Sequence, residues 1–110
     1  MSSRDLNREL WKAYEGVVPT GSATPLAFIV RAKTDRDATQ LRDRFTSQHC
    51  EFVWLERKWW RFLRPWELAL KSVPLAYTPD SLDSWTDAVD REVLPLGAEL
   101  AHWVPVRAGG

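Results

Sequence analysis

Apolar and polar positions alternate along this chain in two different rhythms, and the switches between them mark out its elements. Leu6, Leu10, Trp11 and Tyr14 recur at helical spacing behind Ser2 or Ser3 as a cap, which predicts a helix to about Glu15, closed by Gly16. Residues 17–22 read as a linker. Residues 25–32 hold the densest apolar run, Leu26-Ala27-Phe28-Ile29-Val30, and predict a buried central strand. Thr34 or Asp35 opens a second helix, with acidic residues in its first turn and a narrow stripe of Ala38, Leu41 and Phe45. That helix ends near His49-Cys50.

Residues 51–55 form a further predicted strand, and residues 56–58 a turn or a bulged continuation. Residues 59–63 suggest a short hairpin arm interrupted by Pro65. From Trp66 the alternation is clean, with Trp66, Leu68 and Leu70 on one face and Glu67, Ala69 and Lys71 on the other, giving a strand over 66–73. Thr78-Pro79-Asp80 places a capping hydroxyl before a proline at the first helical position. The helix it starts carries Leu82, Trp85, Ala88, Val89 and Val93 inward, and Asp83, Asp87 and Asp90 outward to solvent. Pro95 and Gly97 close it. A last strand covers 100–106, and 107–110 are a tail.

After the linker the order is strand, helix, strand, strand, helix, strand. That order predicts an α+β fold of the ferredoxin-like, split βαβ type: an antiparallel four-stranded sheet with two helices on one face. The corresponding division is an N-terminal helix (1–16), a linker (17–23), a ferredoxin-like domain (24–106) and the tail (107–110). The first helix is expected to be an appendage on a unit complete without it. The second sheet face is then open unless that helix or a partner covers it.

With 110 residues, 45% of them hydrophobic, the chain can bury one core. No apolar run approaches a membrane span, and the first residues lack the apolar stretch of a secretory signal. A single cysteine, Cys50, excludes an internal disulfide and fits a reducing cytoplasm. The net charge is zero, which argues against binding nucleic acid mainly by counterion release. Residues 1–64 nevertheless carry twelve Lys or Arg against eight Asp or Glu, and residues 65–110 three against seven. The two halves can steer partners of opposite sign, or neutralise each other in the fold.

No catalytic constellation is expected. His49 and His102 each stand alone, no zinc-type spacing involves Cys50, and no Gly-rich phosphate loop follows the first strand. An activated His49-Cys50 thiolate is a formal option, with a small residue entering a buried strand as the ordinary explanation. The sequence implies no metal, no cofactor and no enzyme activity.

Four of the seven tryptophans, Trp54, Trp59, Trp60 and Trp66, fall within thirteen residues, interleaved with Arg57, Lys58, Arg61 and Arg64. Trp and Arg together are enriched where proteins grip other macromolecules. Trp54, Trp59, Trp60, Arg61, Arg64 and Trp66 are therefore the candidate partner-binding residues. The bland alternative is a sheet with two aromatic faces, one of them lying under arginine stems. Three functional readings compete. A protein partner can anchor on Trp59, Trp60 and Arg64. Single-stranded nucleic acid can stack on Trp54, Trp60 or Phe62 with Arg61 and Arg64 on phosphates, although the RNP1 signature is missing. Two copies can also pair sheet to sheet as a homodimer.

Thr78-Pro79-Asp80-Ser81-Leu82-Asp83-Ser84-Trp85 at the helix start, and Gly97, Glu99 and Trp103 at the last strand, resemble the regulator of ribonuclease E activity B family. The element order fits that family over residues 24–106. Leu100, Ala101 and His102 stand where the family has tyrosine, aspartate and glycine, and the charge balance is neutral where the family is acidic. The resemblance implies a ferredoxin-like domain acting as a non-enzymatic regulator that binds protein, in that family a ribonuclease inhibitor.

Overall fold

In the computed structural model, residues 3–106 are described. The tail at 107–110 and the capping role of Ser2 lie outside the described residues. In chain order the elements are α1 (Ser3–Ala13), β1 (Ala23–Thr24), β2 (Leu26–Ala32), α2 (Asp35–Ser47), β3 (Glu51–Arg57), β4 (Trp66–Lys71), β5 (Leu75–Ala76), α3 (Pro79–Val93), a 3-10 turn (Leu94–Leu96) and β6 (Glu99–Pro105). The result is an α+β architecture with one four-stranded antiparallel sheet, ordered β3-β4-β2-β6, and a two-stranded one pairing β1 with β5.

Local chemistry starts and stops these elements as the sequence implies. Thr34 Oγ1 accepts from the Asp37 N–H at 3.1 Å, and Thr78 Oγ1 from the Ser81 N–H at 3.2 Å, each satisfying a donor that a helix start leaves orphaned. Gly97 takes the left-handed conformation after the 3-10 turn, at φ 68°. His49 takes the same conformation just past α2, also at φ 68°, in a place that usually falls to glycine or asparagine.

Side-chain alternation on β2 decides which side of the sheet is interior. Leu26, Phe28, Val30 and Ala32 point into the core, and Phe28 meets Phe45 of α2 and Trp85 of α3 edge-on, at 5.5 and 5.1 Å. Phe28 lies opposite Leu70 on β4 and Trp103 on β6, so both of those rows share that face. Ala38, Leu41, Phe45, Leu82, Val89 and Val93 complete the core from the helices. Trp103 is fully buried.

The first helix is not an appendage. Leu10 belongs to the core, and Asn7 of α1 joins three elements: its amide donates to Thr86 Oγ1 at 2.8 Å and Asp83 Oδ1 at 3.0 Å, while its oxygen accepts from Trp103 Nε1 at 2.8 Å. Trp11 stacks on Tyr77, with ring centroids 4.9 Å apart. Since Trp103 shares a sheet face with Phe28, α1 packs beside α3 on the helical side and leaves the opposite face uncovered. The aspartate stripe of α3, expected to face solvent, is the strip on which α1 docks: Ser3 Oγ donates to Asp90 at 2.6 Å and Arg4 to Asp87 at 2.8 Å. The Arg4 guanidinium holds the Asp87 carboxyl below its ordinary value. Arg4–Asp87 and Arg44–Glu92 pair the basic half of the chain with the acidic half, so part of the charge asymmetry is neutralised inside the fold.

The β1–β5 pairing, Ala23 with Ala76 and Thr24 with Leu75, was not anticipated; residues 17–23 had read as a linker. Two-residue strands are too short to show a period.

Candidate functional site

β3 is an edge strand, and it carries the chain into the aromatic segment. Its register against β4 slips between Phe52 and Trp54, a bulge that turns Trp54 to the face away from the helices. There Trp54, Ala69, Ile29 and His102 form one row across the four strands, and Glu56, Glu67, Arg31 and Glu99 form the next. The middle of β4 is closed even on this side. Ala69 is small and shielded by larger flanking side chains, and Glu67 is buried within its polar row. The strand alternation alone had placed Glu67 and Ala69 in the open.

The hairpin arm expected over 59–63 does not form. Residues 59–65 instead make an irregular loop, closed at its base by the Lys58 N–H donating to the Pro65 carbonyl at 2.6 Å and tightened by the Arg61 N–H donating to the Lys58 carbonyl at 3.0 Å. Pro65 has no N–H for a ladder, and its carbonyl fastens the loop. The exposed fraction is 82% for Trp59, 55% for Trp60, 96% for Phe62 and 78% for Leu63, against 42% for Trp54 on the neighbouring strand. Trp59 and Trp60 meet edge to face, centroids 5.8 Å apart, and Lys58 sits 5.4 Å over the Trp60 ring while pairing with Glu56.

The six candidate contact residues therefore separate into three groups. Trp54, Trp59 and Trp60 stand in solvent. Arg61 is half-buried, with an Nε that finds no partner. Arg64 and Trp66 are held within the fold. Arg64 Nε donates to the Gly97 carbonyl at 2.7 Å and its guanidinium lies 3.8 Å from Glu99, strutting the loop against the start of β6. Trp66, opposite Ala32 and Arg57, packs against the core from its edge. Among the described residues Phe62 and Leu63 are the most and third most exposed large apolar side chains; from the sequence, Phe62 enters only for nucleic-acid stacking and Leu63 not at all. The available signal was two adjacent apolar residues between arginines just before a proline, which fits a loop tip better than an alternating strand.

No group of three or more His, Cys, Asp or Glu side chains among the described residues is arranged to hold a metal ion. Cys50 lines a small depression together with Phe28, Phe45 and Trp85, and burial pushes its thiol pKa up. That is the reverse of what an activated thiolate requires. No helix among the described residues is long and apolar enough to cross a membrane.

In comparisons with known proteins, no family model, no curated protein and no solved structure matches the chain.

Proposed function

We propose that this protein is a non-enzymatic regulator that binds a partner protein, an enzyme it restrains, in the cytoplasm and without a cofactor. The observation that carries this reading is the set of apolar side chains left in water at Trp54, Trp59, Trp60, Phe62 and Leu63. Single exposed apolar residues are ordinary, but five of them between residues 54 and 63, on one loop and the adjoining strand and with Trp59 and Trp60 in contact, have the composition of a binding hot spot.

We further propose that the main sheet and its crossing helices are of the ferredoxin-like type. The antiparallel order β3-β4-β2-β6, with α2 and α3 on one face, supports that assignment. It also accommodates the resemblance to regulators of ribonuclease E activity B. The matching residues do architectural work here: Thr78 caps α3, Gly97 turns the chain, and Trp103 fills the core. They speak for a common scaffold more than for a common target, and the contact residues lie outside the matched stretches.

The nucleic-acid reading asks for stacking on Trp54, Trp60 or Phe62 with Arg61 and Arg64 on phosphates, and Arg64 is already held by the Gly97 carbonyl and Glu99. On the open face the two central strands present Ala27, Ile29 and Arg31 on β2 and Glu67, Ala69 and Lys71 on β4, and the rings of that face, Trp54 and His102, stand on the outer strands. Base stacking is poorly served by such a surface.

The test is Trp59→Ala, measured for melting temperature and for recovery of partner from the native cell. Because Trp59 touches solvent over most of its surface, folding should be unchanged while binding weakens by about 2–4 kcal/mol. Unchanged binding would remove the proposal. Salt-sensitive fluorescence quenching by single-stranded RNA at micromolar protein would replace it with the nucleic-acid reading.

A further inference from the structure

The geometry points to insertion: the loop between Lys58 and Pro65 is a preformed wedge, and the partner protein receives it in an apolar cleft rimmed by carboxylates. This inference rests on the protein-binding reading above and specifies the chemistry of the other side. Phe62 and Leu63 are among the most exposed apolar side chains of the described residues, in a loop whose base is fastened by the Lys58–Pro65 and Arg61–Lys58 backbone bonds and whose flank is tied through Arg64 to Gly97, just ahead of β6, and to Glu99. A segment so fixed loses little freedom on docking, and apolar side chains that project from it are desolvated most completely by a concave surface.

Charge identifies the rim. Residues 57–66 contain four cationic side chains and no carboxylate. Two of the four are already answered by the protein's own acids, Lys58 by Glu56 and Arg64 by Glu99. Arg57 makes no ion pair among the described residues, and Arg61 leaves its buried Nε without an acceptor. Two cations without an ion pair, Arg57 at the base of the loop and Arg61 within it, complement a few carboxylates around a pocket. A polyphosphate strand or an anionic bilayer would be matched by cations left free, whereas half of these are internally neutralised in a chain of zero net charge.

The experiment replaces Phe62 in the full chain by the photoreactive benzoylphenylalanine, with Arg36 on the exposed side of α2 so replaced as the control. Both proteins are irradiated in extract of the native cell, and the adduct is mapped by mass spectrometry. The captured protein is then purified and its affinity measured for the unmodified chain and for Arg57→Ala/Arg61→Ala. Circular dichroism verifies folding, which Phe62 and Arg57 in particular do not support by burial. The expected result is one protein labelled from position 62 and not from 36, on a peptide lining an apolar cleft bordered by Asp or Glu. Its affinity should fall about tenfold for the double variant and about tenfold again between low and high salt. A captured protein that binds with no salt dependence, or is labelled on a flat or basic surface, overturns the insertion mode and leaves the protein-binding reading standing. Labelling of nucleic acid alone, or binding only to phosphatidylcholine/phosphatidylserine vesicles, overturns both.

Discussion

The indole N–H of Trp103 on the last strand donates to the side-chain oxygen of Asn7 on the first helix at 2.8 Å, across ninety-six positions of sequence. The bond is buried, and Asn7 uses its two amide hydrogens on Thr86 and Asp83. One polar side chain thus joins the N-terminal helix, the third helix and the sheet, and satisfies the one donor that a buried tryptophan brings into a core.

Asn7→Ala should destabilise the fold by about 2–4 kcal/mol, because it strands the Trp103 donor in an interior without water. Asn7→Leu combined with Trp103→Phe should cost less than the two single changes added together, since no orphaned polar group remains. Denaturant midpoints for the four proteins measure this coupling. Strict additivity would show that the bond contributes nothing.

Tyr77 stacks on Trp11 and meets Trp103 edge-on, yet its buried hydroxyl finds no partner. Tyr77→Phe keeps both ring contacts and should stabilise the protein by about 1 kcal/mol, with an unchanged denaturant slope.

The same residue sets an alkaline limit. Burial, helped by nearby Tyr14, raises the Tyr77 pKa above its ordinary 10.0. Above that pH the unfolded chain gives up the phenolic proton more readily than the native state does. The stability contributed by this protonated hydroxyl is therefore complete below pH 10.0 and is lost as the pH climbs through the raised value. The decline should be shallower in Tyr77→Phe when unfolding is followed from pH 9 upward; identical slopes in the two proteins would exclude Tyr77 as the cause.

Burial also raises the Cys50 thiol above its ordinary 9.0. At pH 8 an aromatic disulfide reagent should react with it at least about tenfold more slowly than with free cysteine, and at the free rate once denaturant unfolds the chain. A native rate equal to that of the free thiol would contradict the burial.

Trp66→Ala should lower stability by about 2–3 kcal/mol, because this ring packs against the core. Phe62→Ala, at a fully wetted position, should stay within about 0.5 kcal/mol of the parent. Thermal melts of the two variants separate core from surface within a single ten-residue stretch.

Much of the architecture was legible because its causes are local. Ala38, Leu41 and Phe45 face the core as their helical spacing implies, Thr78 caps α3 ahead of Pro79, and Gly97 turns the chain out of the helix. Each depends on neighbours within a turn or two. The β1–β5 pairing was illegible because two residues carry no period, and residues 59–63 read as a hairpin arm because aromatic residues have high strand propensity in the absence of context. In the aromatic segment, composition marked the right neighbourhood but could not sort its members. Trp59 and Trp66 are the same residue type a few positions apart, and where the Lys58–Pro65 bond closes the loop decides that one faces water and the other the core.

By itself the amino-acid sequence determined the α+β class, the core stripes of the two longer helices, the central strand at Leu26–Ala32 and the presence of an unusual Trp/Arg segment, since periodicity, capping and side-chain chemistry act at short range. Only the tertiary structure decided that α1 is clasped by the aspartates of α3, that Glu67 and Ala69 are shielded on the face opposite the helices, and which tryptophans remain in water. Those outcomes follow from strand register, from which side of the sheet a distant helix occupies, and from where a loop is fastened. All three are settled by contacts between residues far apart in the chain, and no local pattern records them.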